Sequence, residues 1–275
     1  MPAQRIALFS CIVLAVLISG CGGGSSGNSA TPLAIQSGNW SISGTSTAGN
    51  GSFVLGGSLS QTGNNISGIM HFFSANVSCF NPEDDIPFSG TITGQKVTLT
   101  SPSVAGEMLT VNATGSSMAL SGSYSIIPSP GATTCIGAVT DQGMFTGTLV
   151  PSISGTWHGS LVSILTPGTP IGVTANITQS STPDAHGFFP VTGTLTFTGS
   201  PCFTSGDIQS TVLPSNLAGS QLALTIVTND TPTAGLTSLS AALDVPSAGN
   251  SMTGSYVVRQ GNCAVDAGSA HVTKQ

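Results

Sequence analysis

Residues 120–126 read Leu120-Ser121-Gly122-Ser123-Tyr124-Ser125-Ile126, with a small hydroxyl side chain at every second position. Alternation with a period of two is typical of a β-strand that buries one face and exposes the other. The same alternation occurs in residues 53–59, 66–72, 173–177 and 222–226, and turns rich in Gly and Asn separate the runs. The chain is therefore predicted to be all-β.

The same stretch returns as Met252-Thr253-Gly254-Ser255-Tyr256, and other landmarks return with it in the same order. Trp and Cys are rare in this chain, so their recurrence indicates a tandem duplication rather than chance. The recurring landmarks are Gly38-Asn39-Trp40 with Gly155-Thr156-Trp157, and Cys79-Phe80 with Cys202-Phe203. We expect one repeat over residues 37–150 and a second over 153–275.

Each repeat contains about eight alternating runs joined by short turns. Sequential antiparallel strands of this kind form a meander, and closure into a barrel removes the exposed edges of an open sheet. We therefore predict two antiparallel, barrel-like repeats of about eight strands each, with a β-sandwich as the alternative.

The amino terminus carries one continuous apolar stretch, from Ile6 to Ile18, preceded by Arg5. As a helix it would be about 20 Å long, which is too short for a hydrocarbon core of roughly 30 Å. A short apolar helix after a positive charge is typical of a signal peptide. We assign residues 1–20 to such a signal helix.

Ile18-Ser19-Gly20-Cys21 resembles the lipobox of bacterial lipoproteins, in which an aliphatic and two small residues precede a cysteine. The resemblance implies cleavage before Cys21 and lipidation of its thiol, which would hold the protein at a membrane. Gly22 after the cysteine resembles the outer-membrane sorting pattern, so we expect an outer-membrane anchor facing the periplasm or the cell surface. Residues 21–36 are interpreted as a flexible tether rich in Gly and Ser.

Four cysteines remain after Cys11 and Cys21 are assigned to the amino-terminal segment. An even number in an exported chain suggests two disulfides, for which three pairings exist. If each repeat folds as a unit, Cys79 pairs with Cys135 and Cys202 pairs with Cys263.

The Gly-x-Trp sequences at Gly38 and Gly155 resemble the start of the first strand in lipocalin- and avidin-type barrels, where the Trp closes one end. Lipocalins usually carry a late Arg that packs on this Trp, and Arg259 occupies the comparable place in the second repeat. The first repeat has Ile127 there. The resemblance implies a barrel topology and no particular ligand.

Each repeat contains one Trp and one Tyr, and these four residues are the candidate binding residues: Trp40, Tyr124, Trp157 and Tyr256. Exposed, such rings would stack on sugars; buried, they would be the largest core residues. Their repetition on alternating strand faces favours the core.

No metal or cofactor site is predicted, because the histidines His71, His158, His186 and His271 lack the spacing of a zinc site. Glu83-Asp84-Asp85 is the single charge cluster and offers oxygen ligands of the kind that calcium prefers. The second repeat has only Asp207 in the matching loop, so a solvated loop is the favoured interpretation.

The net charge and the motifs of the chain limit which functions are expected. The formal net charge is −6, and loss of Arg5 with the signal peptide makes it −7. A chain this acidic lacks the basic surface that nucleic acids require. No catalytic motif is found, so we expect a non-enzymatic envelope protein that binds a small apolar ligand, a glycan or another envelope protein. The alternative is a structural or surface-coat lipoprotein without a ligand.

Overall fold

The computed structural model describes residues 31–73, 80–81, 84–130, 140–210, 215–228, 237–260, 264 and 266–275. The predicted signal helix, the predicted lipidation site Cys21 and most of the predicted tether lie outside these residues. Among the described residues there is no helix long and apolar enough to cross a membrane.

The described chain forms seventeen antiparallel strands, and the all-β prediction is confirmed. They are β1 (Gly38–Ser46), β2 (Ser52–Thr62), β3 (Asn65–Phe72), β4 (Asp85–Thr93), β5 (Lys96–Thr100), β6 (Glu107–Gly115), β7 (Ala119–Pro128), β8 (Asp141–Leu149), β9 (Gly155–Ser163), β10 (Ile171–Gln179), β11 (Phe189–Thr198), β12 (Ser205–Ile208), β13 (Asn216–Ala218), β14 (Gln221–Thr228), β15 (Thr237–Asp244), β16 (Ser251–Val258) and β17 (Ala267–Lys274).

Strands β1 to β8 form a closed barrel in sequential order, here called barrel 1. The ring closes because β1 pairs with β8, with Trp40 opposite Leu149. Burial alternates along each strand, as the sequence pattern requires, and the inward side chains form one apolar core. The prediction of a barrel, rather than a sandwich, is confirmed.

Strands β9 to β17 form barrel 2, in which β10 pairs with both β9 and β11 and so closes the ring. Two short strands, β12 and β13, together pair with β11 and β14 where barrel 1 uses the single strand β4. Barrel 2 therefore has eight strand positions around its ring, one of which β12 and β13 share. The predicted tandem repeat is confirmed.

Strand pairing places the repeated landmarks in the same register. Tyr124 lies opposite Gly143 in barrel 1, and Tyr256 lies opposite Gly268 in barrel 2. A Cβ on either glycine would come within 3 Å of a Cε1 atom of the paired tyrosine ring. Both barrels therefore use glycine to let a buried tyrosine ring lie flat on the neighbouring strand.

The two tryptophans close equivalent ends of the barrels. Trp40 and Trp157 are fully buried, and each indole nitrogen donates to the backbone carbonyl four residues earlier, at 3.0 and 2.8 Å. In barrel 2 the Nζ of Lys274 lies 5.7 Å from the centre of the Trp157 ring, as a cation–π contact requires. Arg259 is exposed and does not take the part that lipocalins give to their late Arg.

The described residues begin before the first predicted repeat. Leu33 and Ile35, which the sequence interpretation placed in the tether, are buried against the core of barrel 1. The backbone N–H of Ile35 donates to the side chain of Gln61 at 2.7 Å, and that of Leu33 donates to the carbonyl of Gly94 at 2.8 Å. The buried side chains of Leu33 and Ile35 and these two hydrogen bonds hold the segment on barrel 1.

The Trp157 end of barrel 2 packs on the outer wall of barrel 1. The side-chain amide of Asn39 donates to the carbonyl of Gly219 at 2.8 Å and accepts from its N–H at 2.6 Å. A Cβ on Gly56 would lie 2.3 Å from the carbonyl oxygen of Ala218, so the two backbones touch here. The opposite end of barrel 2, its mouth, therefore faces away from this contact.

Candidate functional site

A buried polar triad fixes the end of barrel 1 that lies opposite Trp40. Asp141 accepts from the hydroxyl of Ser46 at 2.7 Å, from the hydroxyl of Tyr124 at 2.6 Å, and from the amide of Asn50 at 2.9 Å. Ser46, Tyr124 and Asp141 belong to β1, β7 and β8, so the carboxylate ties three neighbouring strands together.

Barrel 2 contains the same triad. Asp266 accepts from the hydroxyl of Ser163 at 2.6 Å and from the hydroxyl of Tyr256 at 3.1 Å. Sequence reasoning found both tyrosines but missed their partners. Asp141-Gln142-Gly143 and Asp266-Ala267-Gly268 recur at equivalent places and were the available signal.

The titration of these groups follows from their burial and their partners. Burial, reinforced by the adjacent Asp266, raises the pKa of Tyr256 to about 12, and burial beside Asp141 raises the pKa of Tyr124 as well. Burial alone would raise the pKa of Asp141, but hydrogen bonds led by that from Ser46 outweigh it and lower the pKa. The triads hold charge and proton in fixed places, which suits a structural role.

The interior of barrel 2 contains an apolar cavity of about 40 Å³. Its wall consists of aliphatic and aromatic side chains, and the single polar group among them is the hydroxyl of Tyr256, which is bonded to Asp266. The lining residues are Leu161, Val173, Ala175, Ile177, Leu195, Phe197, Ile208, Leu224, Ile226, Leu239, Ala241, Leu243, Met252, Tyr256, Ala270 and Val272.

At two positions that line this cavity barrel 2 has a smaller side chain than barrel 1, whereas its lining residues Leu161 and Val272 stand where barrel 1 has glycine. Ala270 lies opposite Gly254, and its register equivalent Phe145 lies opposite Gly122. In the same way Ala241 lies opposite Tyr256, whereas Val111 lies opposite Tyr124.

A second depression, of about 80 Å³, lies at the mouth of barrel 2. Leu165, Thr166, Cys202 and Phe203 line it together with the triad residues Ser163 and Asp266. Tyr256 lines the inner cavity while its hydroxyl reaches Asp266 in the mouth. The tyrosine ring therefore stands between the mouth and the cavity.

Two of the four histidines meet one carboxylate where the barrels join. Nδ1 of His71 lies 3.1 Å from Oδ1 of Asp85, and Nδ1 of His186, from barrel 2, lies 2.5 Å from Oδ2 of the same residue. The ring of Phe188 packs against that of His71 with centres 4.8 Å apart. The hydrogen bond and charge of Asp85 raise the pKa of His186.

The remaining predicted site residues are placed as follows. Asp84 accepts from the backbone N–H of Asn81 at 2.7 Å, and Glu83 lies outside the described residues. Within the part of the chain that the structure describes, no three His, Cys, Asp or Glu side chains are arranged to hold a metal ion.

The candidate binding residues Trp40, Tyr124, Trp157 and Tyr256 are all buried, which leaves no ring face for a sugar to stack on. Of them, Tyr256 alone lines the cavity in barrel 2.

Cys202 is disulfide-bonded. Cys79, Cys135 and Cys263 lie outside the described residues, so the pairing of Cys79 with Cys135 and of Cys202 with Cys263 stays a prediction.

Comparison with known proteins finds no match: no protein family, curated protein or solved structure is significantly similar to this chain. Function must therefore be argued from the geometry of the barrels.

Proposed function

We propose that this chain is a lipid-anchored envelope protein whose second barrel binds a small, uncharged apolar molecule. The observation that carries the proposal is the apolar cavity in barrel 2, which Ala270 leaves open where Phe145 stands in barrel 1. Duplicated barrels need no such difference for stability alone, because closer packing is more favourable.

The size and lining of the cavity define the class of ligand. A cavity of about 40 Å³ exceeds the roughly 10–15 Å³ that one water needs, yet a water needs two to four polar partners. The wall offers only the hydroxyl of Tyr256, whose proton is already donated to Asp266. The volume of the cavity is well below the roughly 150 Å³ of a cavity that takes benzene. The ligand is therefore slim, such as a short alkyl segment.

The location of the protein forms part of the proposal. Cleavage before Cys21 and lipidation of its thiol would place the barrels at the outer membrane, where apolar molecules partition. Replacing Cys21 with Ser should abolish lipidation, so the protein becomes soluble or stays an uncleaved precursor. Unchanged partitioning of Cys21→Ser into detergent would contradict the anchor.

The ligand test uses the methyl groups of alanine as reporters. With ¹³C-labelled alanine, xenon or n-butane should shift the NMR signals of Ala241 and Ala270, which line the cavity. The core residue Ala113 of barrel 1 is the internal control.

Two variants make the test decisive. Ala270→Phe and Ala241→Val place the residues of barrel 1 at these two positions of the cavity wall. We expect Ala270→Phe to abolish the response of Ala241. If wild type shows no shift, or if Ala270→Phe keeps it, barrel 2 is not a binding barrel and the structural alternative stands.

A further inference from the structure

Exposed apolar side chains cluster beside the mouth of barrel 2. Val162, Ile164 and Leu165 are 37, 65 and 62% exposed, and they are three of the six large hydrophobic residues exposed in the described chain. Single exposed hydrophobic residues are ordinary on protein surfaces, but a cluster marks a site of interaction. We call these three residues the apolar rim.

The rim has a fixed shape. The hydroxyl of Ser163 accepts from the backbone N–H groups of Leu165 and Thr166, at 3.0 and 3.2 Å. A turn follows, in which the N–H of Thr169 donates to the carbonyl of Thr166 at 3.0 Å. The apolar side chains are therefore presented to solvent by a hydrogen-bonded turn.

The chemistry of the rim limits what can cover it. Residues 160–172 contain no Asp, Glu, Lys or Arg, and the chain as a whole has a net charge of −6. An anionic membrane would repel such a protein, and the rim offers no cation to bind its head groups. A neutral, zwitterionic bilayer imposes no such cost and accepts apolar side chains at its interface.

The rim is also continuous with the proposed binding site. Leu165 belongs to the rim and lines the mouth depression, and Tyr256 separates that depression from the inner cavity. The mouth lies at the end of barrel 2 that faces away from barrel 1. Between the rim and the cavity lie the mouth depression and the ring of Tyr256.

We propose that the apolar rim inserts into a zwitterionic lipid bilayer and that barrel 2 takes its ligand directly from that bilayer. This inference rests on the proposed function, since it names the source of the ligand. A protein partner for the rim is the competing occupant, and it would leave the rim outside the lipid.

Tryptophan fluorescence tests the insertion in the full-length lipidated protein. Trp40 and Trp157 are fully buried, so Leu165→Trp introduces the one exposed indole. In vesicles of phosphatidylcholine with brominated acyl chains, we expect its emission to fall by about twofold relative to unbrominated vesicles. Met144→Trp, at a position 60% exposed on the outer wall of barrel 1, is the matched control and should not be quenched.

Equal quenching of Leu165→Trp and Met144→Trp would show that the lipid anchor alone brings the protein to the bilayer, and would overturn the insertion. Leu165→Asp should slow uptake of a short alkane from vesicles while leaving the response of Ala270 to dissolved xenon intact. Loss of the xenon response in that variant would show that Leu165 affects the cavity itself, and would overturn its role in uptake from the bilayer. Quenching of Leu165→Trp together with a wild type that never responds to xenon would refute the proposed function and leave a membrane-docking barrel.

Discussion

Phe145 in barrel 1 and Ala270 in barrel 2 occupy the same register position, each two residues after the glycine that lies opposite the buried tyrosine. Both side chains are buried, so the two barrels differ at this place by a whole phenyl ring. Barrel 1 also packs Phe53 edge-on against Tyr124, with ring centres 4.9 Å apart, where barrel 2 has Ile171. The interior of barrel 1 therefore carries two phenyl rings at positions where barrel 2 has aliphatic side chains.

Truncation of Phe145 measures how much that filling stabilises barrel 1. We expect Phe145→Ala to lower the free energy of unfolding by about 3–5 kcal/mol, because the phenyl group is lost and a cavity remains. Urea denaturation measures the change. The neighbouring Met144→Ala, on the exposed side of the same strand, should change it by about 0.5 kcal/mol or less. Similar losses for both variants would mean that the ring contributes no core packing.

The triads predict an unusual titration of the phenols. Tyr124 and Tyr256 are the only tyrosines in the chain, so phenolate absorbance reports on them without background. Burial raises both pKa values, that of Tyr256 to about 12. The native protein should therefore show almost no phenolate near pH 10, where the unfolded chain is about half titrated. A raised pKa stabilises the fold below pH 10, and this stability is lost as the pH rises from about 10 towards 12. Half-titration of the native protein near pH 10 would contradict the triad geometry.

The carboxylate of Asp141 should determine how the free energy of unfolding changes at acidic pH. The lowered pKa of Asp141 contributes stability that is present above its unfolded pKa of about 3.9 and is lost as the pH falls through the folded value. Tyr124→Phe removes one donor, so we expect a loss of about 1.5–3 kcal/mol at neutral pH and a shallower decline below about pH 4. The exposed Ser123→Ala is the control. A pH profile in Tyr124→Phe as steep as that of wild type would show that the phenol does not hold the charge.

Much of the fold could be predicted from the sequence because strand alternation is a local property. Leu120 to Ile126 alternate in the sequence, and the same alternation of burial is found in β7. The repeat was detectable because Trp40 and Tyr124 are rare residue types with counterparts in fixed order. The split of one strand into β12 and β13 was not, since it depends on pairing with β11 and β14 rather than on any local pattern.

The candidate site was much less accessible to sequence reasoning. Ala270 is an ordinary residue, and its significance appears only when strand pairing sets it against Phe145. His71 and His186 are 115 positions apart in the sequence, and Asp85 joins them only because two barrels meet there. Contacts made by tertiary packing leave no spacing in the sequence that could be recognised.

The pair of hydrogen bonds between Asn39 and Gly219, here called the clasp, should couple the stability of the two barrels. Asn39→Ala removes two hydrogen bonds and leaves the buried N–H and carbonyl of Gly219 unpaired. We expect a loss of about 2–4 kcal/mol in the free energy of unfolding, measured by urea denaturation. Asn112→Ala, an exposed asparagine on the wall of barrel 1, should be nearly neutral. An equal, small effect of the two substitutions would mean that the clasp does not couple the barrels.

The contact between His186 and Asp85 should vary with pH. Asp85 raises the pKa of His186 above its ordinary 6.5, and Asp184 adds a smaller effect of the same sign. A raised pKa means that folding favours the protonated ring, so the contact is strongest below the unfolded pKa and weakens as the pH rises through the folded value. An NMR titration of the ring protons of His186 should show this pKa, and Asp85→Asn should return it to near 6.5. Asp207→Asn, an exposed acid on the wall of barrel 2, removes the same charge elsewhere and should leave it unchanged. If Asp85→Asn leaves the pKa raised, the barrels do not meet through this carboxylate in solution.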